Sequence, residues 1–170
     1  KQFGKVWIVH RFDKDTSGVM IFALNENAHK YLSQQFENRS VQKFYFALAH
    51  GRFTEKQGVI DAPIGEHPVQ KGKMIIQKKG KSALTHYEVL EEFPNHSWLH
   101  LQIHTGRTHQ IRVHLQSLEH TVVADEVYGN GKPFYLSSIK RNYKLGKPSE
   151  EEKPLLHRQG LDELATAAGT

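Results

Sequence analysis

Residues 84–118 read LTHYEVLEEFPNHSWLHLQIHTGRTHQIRVHLQSL, and they decide the fold. Two alternating runs, 84–93 and 97–104, are joined through Pro94 and Asn95, a pairing of turn residues that predicts a β-hairpin. Leu99, Leu101 and Ile103 fall on one face of its second strand. The alternation then gives way to a 3.6-residue period in which Ile111, Leu115 and Leu118 form a narrow apolar stripe. A helix therefore follows the hairpin, with Thr105 or Thr108 as candidate cap and Arg112 facing water.

Upstream, QKFYFALAHGRF (42–53) sets Phe44, Phe46 and Leu48 against Lys43, Tyr45 and Ala47 and reads as a strand. Asn25 is placed to cap a helix over 26–37, where Ala28, Tyr31, Leu32 and Phe36 recur at helical spacing. Two short β-rich runs, 5–10 and 19–24, flank the polar loop VHRFDKDTSG (9–18). Residues 58–72 have a loop composition, and GKMIIQKKGKSA (72–83) suggests a basic hairpin turning at Lys79 and Gly80. Beyond VVADEVYGNG (122–131) the pattern fades: 132–170 is expected to be loop-rich, its tail LDELATAAGT being a helix without chemistry. The layout predicts an α+β fold, a mixed, largely antiparallel sheet with flanking helices and loops. Doubly wound α/β is disfavoured, since only two convincing helices appear.

The 170 residues suit one domain over 1–170, with the motifs in 9–129. No run approaches the roughly 18 apolar residues of a membrane helix, and the N-terminus has no signal-peptide pattern, so no membrane association and a cytoplasmic address are expected. Cysteine is absent, which excludes disulfides, thiolate metal sites and cysteine nucleophiles. Lys and Arg number 23 against 18 Asp and Glu, and this excess is compatible with a polyanionic partner such as nucleic acid.

Three polar islands interrupt the apolar scaffold: Arg11 with Asp13, Lys43 with Tyr45, and 105–114. Each has an ordinary explanation, as a solvated turn, an amphipathic edge strand and a helix entry. The twelve histidines do not suggest a metal: His100 and His104 would lie about 13 Å apart on a strand. His109 and His114 are five apart on a helix, hence on different faces, and no HExxH occurs.

Taken in order and spacing, HRFDKDTSG, a helix, KFY, a hairpin and TGRTHQIRVH resemble the RluA-type RNA pseudouridine synthases. The resemblance covers roughly 9–129 and implies the catalytic-domain fold of that family. It also implies an isomerase that converts a specific uridine to pseudouridine in structured rRNA or tRNA, as a monomer and with no cofactor or metal. Carried over residue by residue, Asp13 is the catalytic carboxylate that initiates glycosidic bond cleavage. Tyr45 stacks on the flipped base and helps handle its C5 proton. Arg107 pairs with Asp13, Ile111 lines the base pocket, Arg11 enters the space the nucleotide leaves, and Lys43 belongs to the Lys-x-Tyr motif that binds substrate.

The chemistry agrees with such a set. Moving the uracil attachment from N1 to C5 needs positioning, one ionised carboxylate and a shaped pocket. A permanently charged arginine opposes the upward pKa shift that desolvation imposes on that carboxylate. The base is unreachable inside a stack, so it must be flipped onto an aromatic ring and its gap filled by a planar guanidinium. Lys14, Lys43, Lys78, Lys79 and Lys81 are candidates for sequence-blind phosphate contacts.

Some features depart from the family pattern. Phe12 replaces the usual leucine and is expected to repack beneath the loop. The usual GHPIVGD is EHTVVAD at 119–125, without two glycines and a proline, so a different backbone is expected there. The upstream Lys-Pro strand is missing and the C-terminal LHA is replaced by LDELA at 161–165, as in a core shortened at both ends. Two rival readings follow. One is an RNA-binding module of the same fold with impaired catalysis. The other is a haloacid-dehalogenase-type phosphatase, in which Asp13 attacks phosphate, Asp15 serves as acid and base, and Asp125 with Glu126 holds Mg²⁺. The second lacks the βαβ context its motif requires.

Overall fold

The computed structural model describes residues 4–140 and 151–155. Two compact units divide the chain, Lys1–Lys43 and Phe44–Thr170. The fold is α+β with antiparallel strand pairing, as the alternating and helical runs predict.

In the first unit, β1 (Trp7–Ile8) pairs antiparallel with β2 (Phe22–Ala23), Trp7 opposite Ala23 and Ile8 opposite Phe22. Both are much shorter than the runs 5–10 and 19–24. At the loop end of the pair, the Ile21 N–H donates to Nε2 of His10 at 3.0 Å, so a side chain takes the bond a ladder carbonyl would accept. Helix α1 (Glu26–Glu37) starts where the cap predicts, with the Ala28 N–H donating to the Asn25 side chain at 2.8 Å. It ends in a Schellman turn. Arg39 N–H donates to the Phe36 carbonyl and Ser40 N–H to the Gln35 carbonyl, with Arg39 in the left-handed region at φ 58°. Ala28, Leu32 and Phe36 are half-buried, whereas Tyr31 is 66% exposed and lies off the packed stripe.

Strand β3 (Lys43–His50), all but its first residue in the second unit, is followed by β4 (Gln57–Asp61), β5 (Ile64–Glu66), β6 (Met74–Ile76), β7 (Leu84–Glu92) and β8 (His96–Ile103). Among the described residues, helix α2 (Gln110–Ser117) and a 3-10 turn at Leu136–Ser138 follow. The main sheet has the order β3-β8-β7-β4, and β5 with β6 forms a separate pair. The predicted hairpin is β7 and β8, in register Thr85 to Ile103 and Tyr87 to Leu101, with a shift between Val89 and Glu91.

Two expectations are corrected here. Residues 58–72 are not simply loop, for they contain β5 and most of β4. Residues 72–83 do turn at Lys79 and Gly80, but β6 pairs backward with β5 instead of with a strand after the turn. Gly80 is required by this packing, since a Cβ there would sit 2.5 Å from the Ile64 backbone.

One apolar cluster joins Ala49, Phe53, Leu99, Leu101 and Leu115, and a second joins Ile64, Ala83, Val113 and Tyr128. Helix α2 contributes Leu115 to the first and Val113 to the second. Being packed on two sides, it buries Gln110 and His114 as well as Val113 and Leu115, while Ile111 and Leu118 are half-buried. The tail at 161–170 lies outside the described residues.

Candidate active site

In the first unit the polar loop is tied down by its own aromatic residues. His10 stacks on Phe36 with centroids 4.9 Å apart, and Phe12 meets His10 edge-on at 5.6 Å. Phe12 also lies where a Cβ on Gly18 would touch its ring at 3.4 Å, so the larger residue packs within the loop as expected. The Thr16 N–H donates to the Asp13 carbonyl at 3.1 Å, making residues 13–16 a turn. Asp13 is half-buried there, while Arg11, Lys14 and Asp15 are exposed. Lys43, at the end of this unit, has its ammonium pKa pushed down by burial and further by the positive charge of Arg39.

In the second unit Tyr45 and Ile111 pack against the same apolar cluster, one from β3 and one from the first turn of α2. Arg107 occupies the turn that enters α2. Its Nε donates to the Ser82 carbonyl at 2.9 Å, and its own carbonyl accepts the Gln110 N–H at 3.1 Å. A main-chain acceptor on the strand side thus orients the guanidinium.

The cap of α2 differs from the expectation. Neither Thr105 nor Thr108 caps it: His109 takes that position at φ 56° and makes no side-chain cap bond. The Thr105 hydroxyl is committed to a buried polar chain. Leu84 N–H donates to Thr105 Oγ1 at 3.0 Å, and that hydroxyl donates to Gln110 Oε1 at 2.7 Å. Gln110 Nε2 donates to the Leu84 carbonyl and to Thr85 Oγ1, both at 3.0 Å. His114 Nε2 lies 3.0 Å from the Ala62 carbonyl, which can only accept, so this nitrogen carries the proton. Nδ1 of the neutral ring then accepts from the Thr85 hydroxyl at 2.9 Å. Burial pushes the His114 pKa down despite the Ala62 bond and the charge of Asp61, in agreement with a neutral ring.

A second network follows α2. Arg112 does not face water: its Nε and an Nη donate to the two carboxylate oxygens of Asp125 at 2.7 and 2.9 Å. Asp125 Oδ1 also accepts the N–H groups of Val127 and Tyr128. Burial raises the pKa of this carboxyl, but the bonds from Arg112 and the two amides hold it below the usual carboxylate value. Both oxygens are therefore committed to the protein, which removes Asp125 as the Mg²⁺ ligand of the phosphatase reading. The Arg112 guanidinium also lies 4.8 Å from the Tyr128 ring. Met74 N–H donates to the Tyr128 hydroxyl, which is 2.7 Å from His109 Nδ1.

The segment EHTVVAD keeps a backbone suited to glycine. Glu119 has φ 64° and Ala124 φ 61°, at the two positions where the resembled pattern has glycine. The left-handed backbone that glycine favours is thus present at both positions although neither residue is glycine. Sequence reasoning missed Gln110, Thr85, His114 and the Arg112 to Asp125 pair. The one signal was membership of TGRTHQIRVH, which contains Gln110, Arg112 and His114.

The RNA pseudouridylate synthase family model matches residues 3–117. The chain belongs to the RNA pseudouridylate synthase family, an α+β domain built around the sheet and turn described above. Among curated relatives, a ribosomal large subunit pseudouridine synthase D of Nitrosomonas europaea is 47% identical over 132 residues, spanning 78% of this chain and 38% of that protein. An uncharacterized RNA pseudouridine synthase of Bacillus subtilis, YlyB, is 43% identical over 156 residues, 87% of this chain and 52% of that one. Among solved structures, human RNA Pseudouridylate Synthase Domain Containing 1 superposes with a TM-score of 0.72 at 30% identity, covering 99% of this chain and 82% of that one. The chain thus spans between about a third and a half of the length of these curated relatives.

Proposed function

We propose that this chain carries the catalytic core of an RNA pseudouridine synthase that isomerises a uridine in structured RNA, acting as a monomer. Asp13 is the carboxylate that starts cleavage of the bond between N1 and the ribose. Tyr45 stacks on the flipped uracil, Ile111 lines its apolar side, and Arg107 is the permanently charged cation of the set. Arg11 fills the gap in the RNA stack, and Lys43 assists in holding the substrate. Ribosomal RNA is the favoured substrate class, because relatives such as that of Nitrosomonas europaea are named as large-subunit enzymes.

The observation that carries this reading is the family match, whose residues 3–117 contain Asp13, Tyr45, Arg107 and Ile111 in order. Support also comes from Tyr45 and Ile111 packing on one cluster, with the Arg107 turn leading directly into the helix that carries Ile111. The test is release of tritium from RNA labelled at uridine C5, together with detection of pseudouridine. Binding of RNA without release would favour the RNA-binding module instead.

A further inference from the structure

The geometry points to Gln110 as the residue that positions Arg107: its side chain locks the turn before α2 to the β7 strand. This rests on the reading that Arg107 acts in the reaction, but the structural basis is independent of it. Gln110 is 3% exposed, and all of its side-chain hydrogen-bonding groups are engaged within the protein. Oε1 accepts the Arg107 backbone N–H at 3.0 Å and the Thr105 hydroxyl at 2.7 Å. Nε2 donates to the Leu84 carbonyl and to Thr85 Oγ1. One amide therefore bridges the turn on one side and two consecutive residues of β7 on the other.

The role follows from what the turn lacks. A helix entry leaves backbone N–H groups without helical partners, and a capping side chain normally serves them. At α2 the cap residue His109 is left-handed and offers no such bond. Gln110, the first helical residue, reaches backward and serves Arg107 instead. The donor and acceptor sense of the chain is unique from Leu84 N–H through Thr105, Gln110, Thr85 and His114 to the Ala62 carbonyl. Such a network has one satisfied arrangement, and a broken member leaves buried groups unpaired. With its backbone fixed by Gln110 and its Nε fixed by the Ser82 carbonyl, the Arg107 side chain leaves the turn in one direction.

The test is a double-mutant cycle in the full chain with Gln110→Met, nearly isosteric but unable to form these bonds, and Arg107→Ala. Gln110→Met is expected to lower kcat by about 10- to 100-fold with KM changed less than about 3-fold, as misplacement of a reacting group by an ångström does. In the Arg107→Ala background the same change is expected to cost less than about 3-fold, because the group it positions is gone. Gln110→Glu, which keeps the acceptor for Arg107 N–H, is expected to recover part of the loss, and it carries the cycle if Gln110→Met does not fold. Equal losses in both backgrounds, or a loss confined to KM, overturn the assignment. Amide exchange adds a readout that needs no activity. The Arg107 N–H is expected to exchange at least about 10-fold faster in the Gln110 variant, while Val113 N–H, bonded to the His109 carbonyl, is unchanged. Unchanged protection of Arg107 also overturns it. If the parent chain forms no pseudouridine, the proposed function fails and the exchange result alone decides the positioning claim.

Discussion

Arg112 and Asp125 meet through two nearly parallel hydrogen bonds of 2.7 and 2.9 Å, with the Asp125 side chain 3% exposed. The pair ties α2 to the turn after it, and Oδ1 of Asp125 also holds the backbone amides of Val127 and Tyr128. Removing one partner leaves a buried charge uncompensated. Asp125→Ala is therefore expected to cost about 3–5 kcal/mol in chemical denaturation, and Arg112→Met with Asp125→Leu together less than the sum of the single changes. Additive losses would contradict the coupling.

The same pair sets an acid limit. The Asp125 pKa is held below its unfolded value, so its contribution is complete above that value and is lost as pH falls through the lower, folded one. Asp125→Asn should flatten the stability profile in that acid range, below about pH 4. An unchanged acid slope would contradict it.

His114 acts in a higher window. Its folded pKa lies below the unfolded value of about 6.5, so the unfolded chain takes up the proton first. Stability is complete above that pH, declines as pH falls toward the folded pKa, and levels off beneath it. His50 and His96, both lowered by burial, act in the same direction. His114→Gln should remove up to one proton's share of the slope, about 1.4 kcal/mol per pH unit at most. A slope unchanged in denaturant titrations between pH 5 and 7 would count against a neutral buried ring.

Glu119 and Ala124 stand in left-handed backbone, where a side chain is strained and glycine is not. Glu119 closes α2 in a Schellman turn, its N–H donating to the Gln116 carbonyl and His120 N–H to that of Leu115. Glu119→Gly and Ala124→Gly should each stabilise the fold by roughly 0.5–1 kcal/mol, the reverse of the usual sign for glycine. A lowered melting temperature in both would contradict the backbone assignment.

Lys78 and Lys79 are exposed on the turn after β6. If they contact phosphate, Lys78→Ala with Lys79→Ala should weaken RNA binding without base preference and reduce the slope of log affinity against log salt by about 1–2. An unchanged slope would place them outside the RNA footprint.

What the sequence revealed was what is local. The β7 and β8 hairpin and the Asn25 cap are written within a few residues, so alternation and one side-chain acceptor suffice to find them. β4 is not legible in this way, because its five residues gain their identity from β7, nearly thirty residues onward. Arg112 reads as facing water because polar helix residues usually do; only packing of α2 on two sides turns it toward Asp125 and leaves Gln110 buried. Tyr45 and Ile111 were legible as site candidates through the motifs, and the fold places both on one cluster. The left-handed backbone at Glu119 and Ala124 was hidden because the residue types argue against it.

The central claim is that Asp13 carries the chemistry, and it is tested by the rate of tritium release from uridine-labelled RNA for the parent chain and Asp13→Asn. Asp13 is half-buried in a turn closed by the bond from the Thr16 N–H to its own backbone carbonyl, which Asp13→Asn retains, and melting temperature and RNA binding are measured beside the rate so that lost release is separated from lost folding or binding. The predicted result is a fall in release of at least about 10⁴-fold, the scale expected when a nucleophilic or acid–base group is removed. Release by Asp13→Asn at the parental rate would contradict the account.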